Sequence, residues 1–572
     1  MNTLTLMISI SIIVLLILLV QNKIKPAILF FGLVLIYYIF DLISVESMLN
    51  NFTNTSLITL LLLMTISIVF EKTLFITFIS NKMFSKSYIK SLLKMGFLVS
   101  FFSAFLNNTA VVASMISVIK QNKFHTPSKL LLPLSYAAIF GGTITLVGTS
   151  TNLIVNGFVI ERGLEPLKLF DFVYVGVPIT IVGLFVLLFI SRFLPETEKE
   201  EKIEEYFIEA KVSKDSKMIG KSLLENKLRN LEYLFLSEII RYESKIAPVT
   251  PNEILQADDI LVFNGDVKHL ELLEHFDGLI LEHSKHEVKN LLEVIISHES
   301  NLINKKVKNS NFRMKFDASI VAIKKGDQKM SNSIGNSTLQ IGDNLILSIG
   351  KDFYKRDNLK KNFHILDDIG VEKKLSLLQS LVVLVSFLSV LLLSLFDIIP
   401  LIKGLFLLLA FFMIGGFLNI VEIKRRFPYD LVLIIGSALG IATVMIDSGV
   451  ANYLASLLNY SLNSFGVYGS FIAIYLLTFV LTEVITNSAA VALSFPIAYA
   501  TATALGVDIL PFIMAVAYGA SASFMTPYGY QTNLMVASVG GYSFKTFLKS
   551  GFLVSIFYSL MIITLIPLIF PF

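Results

Sequence analysis

Four short polar clusters interrupt long apolar sequence, and they come in two matched pairs. Asn107-Asn108-Thr109-Ala110-Val111-Val112-Ala113 matches Thr486-Asn487-Ser488-Ala489-Ala490-Val491-Ala492, 379 positions later. Gly148-Thr149-Ser150-Thr151-Asn152-Leu153-Ile154-Val155 matches Gly529-Tyr530-Gln531-Thr532-Asn533-Leu534-Met535-Val536, 381 positions later. Spacing is kept as well as order, 44 residues from Asn108 to Asn152 and 46 from Asn487 to Asn533. Asn carries both a carbonyl acceptor and an amide donor, so one side chain can serve a cation and an anion. Gly141-Gly142, and Gly519 with Pro527, interrupt the apolar runs beside these clusters. Unwound backbone frees carbonyls that suit Na⁺, and the half-helix N-termini it exposes suit an anion. A single Asn-Thr in a membrane helix is ordinarily an interhelical hydrogen bond. Four clusters at matched spacing favour a binding site.

The elements that must position these residues are apolar and long. Met1–Val20, Pro26–Ile43, Ser56–Phe70, Lys129–Val155 and Val173–Leu194 each have the length of a bilayer span, as do Leu375–Phe396, Gly404–Leu418, Leu431–Ile446, Leu510–Val536 and Phe547–Phe570. Met1–Val20 lacks a preceding basic residue and a following A-x-A site, and reads as a retained span. The segments at about 95–118 and 468–504 read as re-entrant hairpins, because Asn, Thr and Ser tips are tolerated only where they line a protected, wet cavity. Five crossings per half is an odd number. The second copy therefore starts on the opposite face, and the expected fold is an α-helical polytopic membrane protein of two inverted repeats.

Between the halves the texture changes. Of the 90 charged residues, 59 lie in 196–374, where no apolar run can span a membrane, so this stretch reads as a soluble insertion. It repeats internally: Met218-Ile219-Gly220-Lys221 through Asp258-Asp259-Ile260-Leu261 recurs about 84 residues later as Leu302-Ile303-Asn304-Lys305 through Asp343-Asn344-Leu345-Ile346. Alternating runs such as Ala318–Ile323 predict two small α+β units. The expected organisation is membrane repeat 1 over 1–195, inserted units over 205–280 and 285–365, and membrane repeat 2 over 375–572. Lys23, Lys25, Lys82, Lys86, Lys90, Lys94, Lys120, Lys123, Lys129, Lys424, Arg425, Arg426, Lys545 and Lys549 fall on one side if spans alternate. The positive-inside rule then makes the insertion cytoplasmic and both termini external.

Composition excludes several classes. A 54% hydrophobic content and a mean hydropathy of +0.73 are far from a soluble chain, and a net charge of +4 argues against nucleic-acid binding. Without cysteine there are no disulfides, thiolate metal sites or Cys nucleophiles. No nucleophile elbow, paired-carboxylate site or Walker motif supports an enzyme. His125, His269, His275, His283, His286, His298 and His364 match no zinc spacing and read as solvated. Glu483 lies one helical turn before Asn487 and is a candidate coupling site, with a cap or interfacial pair as the structural alternative.

At these residues the sequence resembles the divalent anion/sodium symporter family of the ion transporter superfamily. It is most similar to the sulfate-type branch with two central TrkA-C (RCK C-terminal) domains. Asn107-Asn108-Thr109 and Thr486-Asn487-Ser488 resemble the family's two Ser-Asn-Thr signatures. Thr526-Pro527 followed by Gly529-Tyr530-Gln531-Thr532-Asn533 resembles its second unwound segment. The resemblance implies a dimeric elevator-type symporter of the cell's inner or plasma membrane, moving a divalent anion with Na⁺. It assigns substrate contact to Asn108, Thr109, Thr143, Asn487, Ser488, Thr526 and Pro527. Sodium contact goes to Asn107, Asn108, Gly142, Asn487, Ser488 and Thr526. Where dicarboxylate-type members resemble Thr-Pro-Pro-Asn, this chain has Thr149-Ser150-Thr151-Asn152 and Tyr530-Gln531-Thr532-Asn533, which favours sulfate. The TrkA-C resemblance also implies a regulatory small ligand on the insertion. The competing expectations are a cation/proton antiporter of the same superfamily and a ligand-sensing membrane receptor.

Overall fold

The computed structural model describes residues 3–21, 24–73, 83–196, 207–228, 234–242, 244–246, 249–265, 276–282, 291–297, 300–325, 328–330, 334–350, 352–356, 359–366, 375–462 and 466–572. Lys23, Lys82, His269, His275, His283, His286 and His298 lie outside them. Eight helices among the described residues are long and apolar enough to cross a membrane.

The first half runs α1 (Thr3–Gln21), α2 (Pro26–Ile39), α3 (Val45–Phe52), α4 (Thr55–Glu71), α5 (Tyr88–Ser103), α6 (Asn108–Gln121), α7 (Pro127–Gly142), α8 (Ser150–Glu161) and α9 (Val173–Ile190). After the insertion come α10 (Leu377–Leu395), α11 (Leu401–Ile414), α12 (Ile420–Arg426), α13 (Tyr429–Asp447), α14 (Val450–Leu462), α15 (Gly466–Val484), α16 (Asn487–Leu505), α17 (Leu510–Ser521), α18 (Gln531–Gly540) and α19 (Phe544–Ile569). The expected spans Lys129–Val155 and Leu510–Val536 are each two helices with an unwound link, 143–149 and 522–530. Their glycines and Pro527 account for the breaks. The polar-tipped segments are helix pairs, α5/α6 and α15/α16, whose arms reach further than the expected 95–118 and 468–504. The short helices α3, α12 and α14 have no counterpart in the expected spans. Each is bounded by turn or cap signals too local to register as hydropathy.

Within the apolar helices, hydroxyls bond back to their own backbone, Thr59 Oγ1 to Thr55 O and Thr501 Oγ1 to Ile497 O among them. This satisfies a polar side chain without a partner helix. Helices pack in two sets across the two halves. In one, α2 lies on α13 and α4 on α11; in the other, α7 lies on α18, α8 on α16 and α9 on α19; the sets meet where α13 lies on α16 and α4 on α8. The first set is stapled where Lys72 Nζ, at the end of α4, meets Glu422 Oε1 and Oε2 at 2.7 and 2.8 Å. Glu422 is itself held by a capping box with Asn419 at the start of α12.

The described residues of the insertion form two five-stranded antiparallel sheets, ordered β3-β2-β4-β1-β5 and β10-β6-β9-β7-β8. They span β1 (Phe207–Val212), β2 (Leu234–Arg241), β3 (Ser244–Ile246), β4 (Ile260–Gly265), β5 (Leu279–Glu282), β6 (Leu291–Ile296), β7 (Ala318–Lys325), β8 (Gln328–Met330), β9 (Asn344–Ile349) and β10 (Phe363–Ile365). Every strand of the second sheet starts 84 residues after its counterpart. The bulge follows the same interval, Leu236/Glu238 in β2 and Ile320/Ala322 in β7. Each unit has its own apolar core, and Ile240 and Val262 of the first meet Val321 of the second. His125 departs from expectation: its Nε2 lies 2.8 Å from Ser85 O and 3.1 Å from Ser91 Oγ, which makes it a structural tie.

Candidate functional site

The half-helices α6, α8, α16 and α18 begin at Asn108, Ser150, Asn487 and Gln531, the residues where the two repeated motifs place their polar clusters. Asn107 caps α6, its Oδ1 accepting from Thr109 N at 2.9 Å. The next residue, Asn108, is 3% exposed and reaches across to the second half, where its Nδ2 donates to Tyr530 OH at 2.7 Å. Thr109 Oγ1 donates to Gln531 Oε1 at 3.0 Å. Tyr530 OH also lies 3.4 Å from Thr149 Oγ1. One phenolic hydroxyl therefore joins the tips of α6, α8 and α18. Gly142 is required here, since a Cβ on it would stand 2.6 Å from Asn108 Nδ2.

The unwound links are held by matching bonds. Asn152 Nδ2 donates to Thr145 O at 2.9 Å, and Asn533 Nδ2 to Ser523 O and Thr526 O at 2.9 and 3.2 Å. Ser135 Oγ sits 2.7 Å from Thr532 Oγ1 and from Asn533 Oδ1, while Thr151 Oγ1 sits 2.8 Å from Ser521 Oγ. Tyr136 OH donates to Phe524 O and Tyr518 OH to Phe172 O, both at 2.7 Å. The first half thus ties down the second link at Phe524, and Tyr530 reaches the first link at Thr149.

Glu483 belongs to the second link. Its Oε1 accepts from Phe524 N and Met525 N at 2.8 Å each, and its Oε2 from Thr526 N at 3.1 Å. Three backbone N–H groups on one buried carboxylate make it a holder of the segment. The first half has Ala104 at the corresponding place, with Thr145 Oγ1 bonded to Ala104 O, as Thr526 Oγ1 is to Glu483 O.

Of the expected residues, Asn107, Asn108, Thr109 and Gly142 converge with Tyr530 and Gln531. Thr143 is near but turned away, its Oγ1 donating to Phe140 O at 2.8 Å. Asn487 Oδ1 accepts from Thr482 Oγ1 at 2.9 Å, Ser488 is buried in the same turn, and Pro527 is buried beside Thr526. No hydrogen bond among the described residues links Asn108 to Asn487. Tyr530, Gln531, Thr149, Thr482 and Ser523 were not among the expected site residues. The second repeated motif contains three of them, and that match was the available signal.

Two buried acceptor oxygens at the site have no protein partner among the described residues, Asn108 Oδ1 and Ser523 Oγ. Uncharged oxygens left unpaired fit a hard monovalent cation. Among the described residues the site contacts involve no Lys or Arg side chain, so an anion there would meet N–H groups and dipoles.

Long apolar helices, with two of the expected spans broken at a polar centre shared by both halves, mark a multi-pass membrane protein. The chain belongs to the CitMHS family, described as "Citrate transporter", whose family model matches residues 13–519. A Chlamydomonas reinhardtii protein assigned by name as a sulfur deprivation response regulator is 30% identical over 532 residues, covering 87% of this chain and 90% of that one. Sodium/sulfate cotransporter 1 of the same alga is 26% identical over 377 residues, covering 62% and 42%. The sodium-dependent dicarboxylate transporter SdcS of Staphylococcus aureus is 27% identical over 150 residues, covering 26% and 29%.

Proposed function

We propose that this protein is a Na⁺-coupled symporter of a divalent anion, with sulfate preferred to dicarboxylates, working by an elevator movement. The observation that carries the reading is the closure of Asn108 and Thr109 on Tyr530 and Gln531, which builds one polar centre from both halves. Asn108 and Asn487 hold substrate and sodium, with Thr109, Ser488, Thr526 and Pro527 beside them and Gly142 leaving room for Asn108. Sodium, when bound, supplies positive charge that offsets the anion; Asn108 Oδ1 beside the first link and Ser523 Oγ within the second are acceptors each able to face a sodium of its own. Gln531 and Thr532 bring an amide and a hydroxyl where dicarboxylate-type members resemble proline, and hydrogen-bonding side chains suit a compact oxyanion. The structure gives Thr143 a backbone partner instead, so we assign it to holding the link. Glu483 takes the same structural role rather than that of a coupling acid.

The two helix sets support the movement: α1–α4 with α10–α13 form the frame, and α5–α9 with α15–α19 form the carried body. The matched motifs and cross-half bonds support inverted repeats, and the 84-residue recurrence supports tandem TrkA-C units on the cytoplasmic side. The assembly is a homodimer in this reading.

Radiolabelled sulfate uptake into proteoliposomes tests it, with an inward Na⁺ gradient and with choline in its place. The reading expects sodium-dependent uptake that excess succinate or citrate competes for weakly. No uptake of any of the three anions by folded protein contradicts it. A second reading, a ligand-sensing membrane receptor, is favoured by the name of the 30%-identical relative; sulfate binding without flux is its signature.

A further inference from the structure

The second inserted unit touches both helix sets. On the carried body it meets the two half-helices whose first residues form the site. Lys120, in the last turn of α6, pairs with Glu293 of β6, and Ser117 Oγ donates to Leu366 O just after β10. Ser538 of α18 donates to Gly342 O at 2.6 Å, in the turn before β9, where Leu534 also packs. Ile295 and Leu366 join the apolar core of the membrane helices. On the frame, the segment Leu359–Asn362 of the same unit packs on α12, which Lys72 and Glu422 fix to α4.

We infer that the second inserted unit is a strap between frame and carried body, and that its contacts with α6 and α18 restrain the transport movement. The inference rests on the elevator reading above and names the regulation of that same site. The geometry gives the reason. The α6 and α18 helices are short and rigid, so a restraint at Lys120 and Ser538 acts on Asn108 and Gln531 at their other ends without touching them. The ion pair is largely enclosed, with side chains 22% and 13% exposed. Breaking it from one side leaves a partly buried charge and weakens the whole contact. A rigid-body movement of the carried set relative to α12 cannot keep both contacts of the unit unchanged.

The test uses the full chain, which contains no native cysteine. Lys120→Ala with Ser538→Ala releases the strap, and Lys120→Cys with Glu293→Cys, joined by a short reducible bis-methanethiosulfonate linker, fixes it. Spin labels at the exposed Lys424→Cys and Lys549→Cys report the frame-to-body distance without requiring any substrate. Release is expected to raise initial sulfate uptake about 2- to 30-fold and to add a second population to the distance distribution. Linking is expected to stop uptake, and reductant to restore it. Unchanged distances on release, or undiminished uptake in the linked protein, overturns the inference. A second distance population in a protein that carries none of the tested anions supports the strap and overturns the symport reading, so the two failures are distinguishable.

Discussion

Tyr530 places one hydroxyl against Asn108 and Thr149, so the two halves share a single polar atom at the site. Tyr530→Phe removes that atom and leaves Asn108 with both amide ends unpaired. Loss of one such bond costs about 1–2 kcal/mol, so sulfate uptake is expected to fall roughly 5- to 30-fold with the folded protein intact. Unchanged uptake would remove Tyr530 from the site. Glu483→Gln keeps one acceptor of the carboxylate but turns an amide N–H toward backbone donors. It is expected to lower uptake with the pH profile unmoved, because the role is to hold 524–526; a flattened pH profile would restore the coupling role. Outside the membrane, burial raises Asp343 from the ordinary aspartate value of 3.8 to about 6, against the pull of Gln340 N–H and Lys325. The folded state binds this proton more tightly than the unfolded chain does. The group therefore destabilises the second unit above pH 6, by up to about 3 kcal/mol, and the penalty fades as pH falls from 6 toward 4. Hydrogen exchange of β9 in the full chain, corrected for intrinsic rate, is expected to slow on going from pH 7.5 to 5, and Asp343→Asn to abolish that pH dependence. Absence of any pH effect in the native protein contradicts the assignment.

The elements show what apolar patterning can and cannot reveal. Hydropathy located the long helices, and glycine with proline located both breaks. The repeated Asn clusters marked the N-termini of α6 and α16 because half-helices must start on polar residues when their tips meet no lipid. Partners across the halves were not legible. Asn108 and Tyr530 are 422 positions apart, and nothing local in either sequence records that one bonds the other. Glu483 was visible as an acid at membrane depth, but its three backbone donors come from a link whose path only packing decides. Gly142→Ala tests the closest approach at this scale. Its Cβ collides with Asn108, so uptake is expected to be lost, whereas Gly32→Ala in α2, with open space around it, is expected to be neutral. Equal effects of the two would show that the α7 break does not position Asn108.

At the scale of the whole molecule, side chains of the two membrane halves meet at one polar centre, and the described residues of the insertion carry the same strand order twice. The copies were legible because Met218–Lys221 and Asp258–Gly265 recur about 84 residues later; the structure adds Arg241 paired to Asp259 in the first unit where Lys325 faces Asp343 in the second. Which copy touches the membrane helices was not legible, since Glu293, Gly342 and Leu366 gain their meaning only from docking. The central claim is that anion and sodium move together through a centre built from both halves. Paired uptake of radiolabelled sodium and radiolabelled sulfate in the same proteoliposomes tests it most directly, in the native protein and in Asn108→Ala and Asn487→Ala. The account predicts that sodium enters with sulfate at a fixed ratio, and that either substitution alone abolishes both fluxes. Sulfate entry without accompanying sodium, or undiminished entry in either variant, would contradict it.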